Sequence, residues 1–265
     1  MAVESAPLIA ASTAASTAKP GSETTLLTRQ QLRDRLQAVG DARYHHQHPF
    51  HIRMHRGELT RGQLQAWALN RYYYQSRIPI KDSLLLAKSD DPAFRRAWRK
   101  RILDHDGDQD GYGGVEKWIQ LAEASGVTRD QVIPCTGVLP GVRYAVDAYL
   151  ALVRDSSLLV AVASSLTELF SRDLISLRMD QMRLHYPYLT PGLAYFVGRL
   201  TQAPEDATFA LDYVSTHAVT RDRQEQVIQA LEAKCAILWA QLDAIDYAYV
   251  VPGNIPPGAF VPDCD

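Results

Sequence analysis

The stretch TRDRQEQVIQALEAKCAILWAQLDAIDYA, residues 220–248, decides the fold class. Val227, Ile228, Leu231, Cys235, Leu238, Leu242 and Ile245 recur mostly at steps of three and four. That spacing lays one apolar stripe along a long helix, with polar residues on the other face. Lys234 interrupts the stripe, three residues after Leu231 and four before Leu238. A cation on an apolar face is costly unless paired. Either its ammonium snorkels out to solvent, or it points into a cavity at the negative charge of a ligand.

Outward from this helix the pattern stays helical. Helices are expected at about 28–40, 60–89, 92–104, 114–125, 141–155, 158–183, 191–202, 205–218 and 220–248. Thr28-Arg-Gln-Gln31, Thr60-Arg-Gly-Gln63 and Thr128-Arg-Asp-Gln131 read as capping boxes. Asp91-Pro92 and Thr190-Pro191 read as an N-cap followed by proline at the first helical position. No Asn-Gly or Asp-Gly joins two alternating runs, so no hairpin is expected. The fold class is all-α, a single compact helical bundle. Residues 1–25 read as a disordered Ala/Ser/Thr tail, 26–250 as the helical domain that would carry catalysis, and 251–265 as a proline-rich tail, extended or disordered.

The 265 residues are 46% hydrophobic, enough for a sizeable core. A formal net charge of −2 gives no reason to expect nucleic acid or an anionic membrane as partner. Cys135, Cys235 and Cys264 are scattered and form no CxxC pair, which fits a reducing, cytoplasmic compartment. Glu4 precedes the first apolar residues and no basic segment leads them, unlike a secretory signal. The apolar run Leu158 to Leu169 is interrupted by Ser164, Ser165, Thr167 and Glu168, too short and too polar to span a bilayer.

Several clusters bear chemistry. Tyr44-His45-His46-Gln47-His48-Pro49-Phe50-His51, with His55 behind, holds five of the eight histidines. It reads as a metal site, as an imidazole acid or base, or as a partly exposed helix-capping loop. In Asn70 to Asp82, Arg71, Tyr74, Gln75, Ile78 and Lys81 share one helix face. Two cations, a phenol and an amide suit a small, planar, multiply carboxylated ligand, or else form an exposed face with a tyrosine-rich packing edge. Pro79 frees the carbonyl of Gln75 beside that face. Asp106 to Gly111 opens like a calcium loop, but the twelfth position is Lys117, so no calcium is expected and the segment reads as a glycine-rich acidic turn. Tyr149 and Arg178 stand at helical positions open to either face. Tyr195 and Arg199 form an i,i+4 pair that lines a pocket or merely a surface. No glutamate precedes a histidine by three residues, so the di-iron bundle motif is absent.

YHHQHPFHIRMHRG (44–57), NRYYYQSRIPIKD (70–82), RILDHDGD (101–108), LPGVRYAVDAY (139–149), SSLTELF (164–170) and ILWAQLDA (237–244) together resemble the pyrroloquinoline-quinone synthase family. The resemblance runs in order over nearly the whole span from 28 to 250. It implies the helical fold shared by haem oxygenase and thiaminase-2, and a homodimer. It implies an oxidase that closes a ring and oxidises a bicyclic tricarboxylate in successive steps with O2, releasing hydrogen peroxide, with no metal and no organic cofactor. The small-molecule substrate would meet Tyr44, Arg71, Tyr74, Gln75, Lys81, Tyr149, Arg178 and Lys234. His45 and His105 match active-site histidines, and His105 is the expected base, oriented by Asp104 or Asp106. Tyr195 and Arg199 match the oxygen pocket. One departure stands there: where many relatives carry a histidine three residues before the arginine matched by Arg178, this chain has Ile175. Two other functions fit the same clusters: a thiaminase-2-like hydrolase, which needs a nucleophilic cysteine in the pocket, and a non-catalytic carrier of the finished quinone.

Overall fold

The apolar stripe of residues 227–245 is fully buried against neighbouring helices. A computed structural model describes residues 25–262; residues 1–24 of the tail expected over 1–25, and Cys264, lie outside the described residues. In chain order the helices are α1 (Arg29–Arg43), α2 (Pro49–His55), α3 (Arg61–Leu86), α4 (Pro92–Asp106), α5 (Gly113–Ser125), α6 (Arg129–Val132), α7 (Pro140–Asp155), α8 (Leu158–Ala163), α9 (Ser171–His185), α10 (Ala194–His217) and α11 (Arg221–Tyr249). Short 3-10 segments, His45–Gln47, Leu166–Phe170 and Pro187–Gly192, join some of them. Among the described residues there is no strand. α11 lies against α1, α7 and α8, while α3 packs on α4, α5 and α7.

All three capping boxes form, with threonine hydroxyl and glutamine amide satisfying each other's backbone donors. The Asp91 carboxylate accepts from the Ala93 and Phe94 amides at the start of α4. The expected N-cap at Thr190 does not form. Pro191 lies inside the 3-10 segment Pro187–Gly192, and α10 starts at Ala194.

Two expected boundaries move. The single helix expected over 158–183 breaks into α8, a 3-10 turn and α9. At the break the Ser164 hydroxyl donates to the Ala161 carbonyl at 2.7 Å, competing with the backbone ladder. The helices expected at 191–202 and 205–218 are one, because α10 runs through Pro204. The Thr208 hydroxyl donates to the Pro204 carbonyl at 2.8 Å, and buried Ala203, Ala207 and Ala210 hold the segment on its neighbours. α2 was not legible as a helix. His48 caps it, its Nδ1 accepting from the Phe50 amide at 3.0 Å, and Pro49 occupies the first turn.

The segment after α11 is extended but fastened. The Phe260 amide donates to the Gly137 carbonyl at 2.8 Å, and the Tyr249 hydroxyl donates to the Phe260 carbonyl at 2.8 Å. No helix among the described residues is long and apolar enough to cross a membrane.

Candidate active site

Eight segments converge on one interior cavity of about 80 Å³. α3 contributes Arg71, Tyr74, Gln75 and Ile78 from the face that its spacing marks. Tyr44 and His45 enter from the loop before α2, His105 from the last turn of α4, and Trp118 from α5. The broken segment after α8 sends in Thr167 and Glu168, and α9 adds Ile175 and Arg178. α10 brings Tyr195, Phe196 and Arg199, and α11 brings Leu238. Of the twelve residues marked from sequence, nine line this cavity: Tyr44, His45, Arg71, Tyr74, Gln75, His105, Arg178, Tyr195 and Arg199.

Lys81, Tyr149 and Lys234 stand one layer back. Lys234 is buried and does not snorkel: its Nζ lies 2.8 Å from the Tyr74 hydroxyl and 3.3 Å from the centre of the Tyr149 ring. The Tyr74 and Tyr149 rings stack at 6.3 Å. Lys81 is engaged by Asp82, and its Nζ reaches the Ser165 hydroxyl at 3.4 Å.

Charge divides the site into two halves. On one side the ions are matched. Arg199 bonds Glu168 at 2.8 Å and Asp206 at 3.2 Å. Arg101 bonds Asp206 at 2.8 Å and lies 3.6 Å from both Asp82 and Glu168. Burial pushes the Glu168 carboxyl up, but Arg199 and Arg101 overcome it and hold the group at about 2. Asp82 is likewise held below its ordinary value by Lys81 and Arg101 against its burial. Three cations thus face three carboxylates.

On the other side the cations are unmatched. Among the described residues no carboxylate lies within ion-pair distance of Arg71, Arg178 or Lys234. Arg71 lies over the Tyr74 ring at 4.0 Å and donates to the Gln241 amide oxygen at 3.3 Å. Arg178 lies against the His51 ring at 3.2 Å and 6.0 Å from the centres of the Trp67 and Phe196 rings, and its Nε has no hydrogen-bond partner among the described residues. Burial, reinforced by Arg71, draws the Arg178 guanidinium down to about 10. Burial, with Arg71 and Lys81 adding, takes the Lys234 amine well below its ordinary value. Three basic groups with no counter-charge, in and just behind one cavity, are an energetic liability in the empty protein. Such an arrangement becomes favourable when an anion fills the space.

The two cavity histidines differ in surroundings. The His105 Nδ1 lies 2.9 Å from the Arg101 carbonyl. A carbonyl only accepts, so Nδ1 carries the proton and Nε2 of this cavity-lining ring is bare. The orienting group is this carbonyl and not Asp104 or Asp106. Burial, with Arg199 nearby, lowers His105 to about 4, which keeps the bare nitrogen available at neutral pH. His45 is pulled well below its ordinary value by burial, with Arg71 and Arg178 adding. Tyr195 donates to the Gln75 amide oxygen at 3.0 Å.

Glu168, Arg101 and Asp206 were not marked from sequence. Glu168 showed only as a polar interruption in an apolar run, and its two arginine partners are far away in the chain. Ile175 lines the cavity between Leu174 and Arg178. A second cavity of about 390 Å³ adjoins, sharing Tyr44 and Leu174 as a wall. Cys135 and Cys235 are buried, line neither cavity, and have thiols raised by that burial. No group of three or more His, Cys, Asp or Glu among the described residues is arranged to hold a metal.

Comparison with known proteins agrees with this architecture. The model of the TENA/THI-4/PQQC family matches residues 33–244. The pyrroloquinoline-quinone synthase of Gluconobacter oxydans is 55% identical over 239 residues, covering 90% of this chain and 100% of that one. That of Acidiphilium cryptum is 56% identical over 238 residues, covering 89% and 97%. In three dimensions, a Shewanella denitrificans domain with a heme oxygenase-like fold superposes with a TM-score of 0.70 at 13% identity, covering 89% of this chain and all 100% of that domain.

Proposed function

The chain belongs to the TENA/THI-4/PQQC family and is an enzyme of pyrroloquinoline-quinone biosynthesis; we propose that it closes the ring of the bicyclic tricarboxylate precursor and oxidises it to the quinone with O2. Each two-electron step removes two hydrogens from the substrate, and O2 leaves as hydrogen peroxide. No metal or organic cofactor takes part. Assembly as a homodimer and a cytoplasmic location belong to the same proposal.

One observation carries it: Arg71 and Arg178 line the cavity, Lys234 stands directly behind it, and none of the three has a carboxylate partner among the described residues. The substrate supplies the three missing carboxylates. Guanidinium groups match carboxylates in a fixed fork, and the Lys234 ammonium serves as a point charge. Tyr44, Tyr74, Gln75 and Tyr149 give planar and hydrogen-bonding walls, and Lys81 anchors the layer behind them. His105 takes the protons released as C–H and N–H bonds are lost, because its ring lines the site with Nε2 bare.

Tyr195 and Arg199 border the oxygen site. The charge of Arg199 is already met by Glu168 and Asp206, so it contributes oriented N–H donors more than net charge. An electron-rich quinol passes electrons to O2 directly, so Ile175 in place of histidine leaves oxygen use intact. A cavity of about 80 Å³ is below the usual range for ligand sites, so entry of the precursor displaces side chains. Tyr44 and Leu174, the wall shared with the larger neighbouring cavity, are placed to give way.

An aerobic single-turnover assay tests this. Metal-free protein mixed with precursor is expected to consume O2, release hydrogen peroxide and develop quinone absorbance. Binding of the quinone without turnover would identify a carrier instead. Hydrolytic products without O2 uptake would identify a hydrolase.

A further inference from the structure

We propose that His51, which lines no part of the cavity, is a positioning residue that fixes His45 as a hydrogen-bond donor and holds the Arg178 guanidinium toward the ligand. The identity of that ligand rests on the function proposed above; the hydrogen-bond assignment does not.

His51 is buried on α2, where the His48 cap turns it inward. Its ring meets two groups of fixed polarity. Arg178 Nη2 lies 3.2 Å from both ring nitrogens. A point equidistant from the two nitrogens lies over the ring face, out of the plane of either lone pair, so the guanidinium stacks on the imidazole ring. The His45 carbonyl lies 2.9 Å from His51 Nδ1. A carbonyl only accepts, so Nδ1 carries the proton and Nε2 of the neutral ring is bare. An imidazolium at this position would set a second cation against the guanidinium. Burial and Arg178 both hold His51 well below its ordinary value, in keeping with a neutral ring.

The assignment passes on to His45. His45 Nδ1 lies 3.1 Å from the same His51 Nδ1–H. Two N–H groups cannot point at each other at that distance, so His45 Nδ1 is bare and accepts. The neutral His45 ring therefore carries its proton on Nε2. His105 has the opposite tautomer, with Nδ1 protonated and Nε2 bare. The two cavity histidines thus divide the work: His45 donates to a substrate oxygen and His105 accepts a proton. His45 is not an alternative base while His51 stands behind it.

Side-chain nitrogen spectra of protein labelled with 15N-histidine test this, with assignments from His45→Gln and His51→Gln. The unliganded wild type at neutral pH is expected to show His51 protonated on Nδ1 and His45 on Nε2. His45 protonated on Nδ1, or His51 as imidazolium, would overturn the proposal. In His51→Phe, His45 is expected to relax to a tautomer mixture. KM for the precursor should rise only about twofold, the share of the wrong tautomer, because phenylalanine keeps a ring face for Arg178. His51→Asn restores a donor near Nδ1 but offers Arg178 no ring face. It should recover the His45 tautomer and raise KM roughly fivefold, the scale of a lost cation–π contact. An unmoved His45 tautomer and unchanged KM in both variants would also overturn the proposal. If a variant fails to fold, the wild-type spectrum still decides the assignment. The expected tautomers in a protein that never turns over would sink the oxidase reading and leave the positioning intact.

Discussion

Lys234→Met keeps the volume of the side chain and deletes its charge, which separates the two costs met at that position. The amine is buried without a carboxylate to hold a proton on it, so replacing it with an apolar chain should stabilise the unliganded protein by about 1–4 kcal/mol. Removing a charge that a bound carboxylate would need should weaken binding of the quinone product by roughly tenfold or more. Thermal unfolding and titration calorimetry read the two effects independently. Lower stability with unchanged affinity would make Lys234 a structural residue. His105→Asn retains a side-chain N–H for the Arg101 carbonyl and loses the bare nitrogen. Precursor binding should persist while turnover stalls at a partly oxidised species with its own absorbance, followed by stopped-flow spectroscopy. A wild-type rate with no accumulating species would place the base elsewhere. Lys234 was legible from sequence because an apolar stripe makes a cation conspicuous. Glu168 was not, because only the tertiary partners Arg101 and Arg199 explain a carboxylate there.

The turn between α4 and α5 places His105, and two glycines make that turn. Gly107 has φ +83° and ends α4, its amide donating to the Leu103 carbonyl at 2.8 Å. Gly113 has φ +89°, and a Cβ there would come within 2.5 Å of the His105 carbonyl oxygen. Gly113→Ala must therefore shift the backbone that carries His105. A loss of about 1–3 kcal/mol of stability is expected, with a fall in turnover larger than the fall in substrate affinity. Denaturant unfolding and steady-state kinetics check it, and unchanged values would show that the turn is slack. Sequence spacing marked this turn and most helices, because caps and apolar periodicity are local signals. The break at Ser164 and Ser165 and the continuity of α10 through Pro204 were not legible. Both depend on packing against other helices, which overrides local propensity.

Across the whole molecule, buried neutral histidines make stability depend on pH. His45 and His51 lie well below the ordinary value of 6.5 in the folded chain, and His105 lies at about 4. Below pH 6.5 the unfolded chain binds protons that these rings refuse, so their contribution is intact above that value and is lost as pH falls. Each group adds a slope of up to about 1.4 kcal/mol per pH unit in this window. The melting temperature should fall steadily as pH drops from 6.5 toward 4. A melting temperature that rises on acidification from pH 6.5 to 5 would show that these rings take up protons readily. The same interior sets its response to ligand. A tricarboxylate entering beside Arg71 and Arg178 offers Lys234 the counter-charge it lacks, so the depressed amine should be drawn back to ammonium. The most direct measurement is an anaerobic calorimetric titration of metal-free protein with the tricarboxylated precursor, between pH 7 and 9, in buffers of different ionisation heat. Saturable binding with net proton uptake that grows as pH rises is the predicted result. Binding with no proton uptake across that range, or equal affinity for the precursor and its triester, would contradict a cavity built from unmatched cations for this substrate.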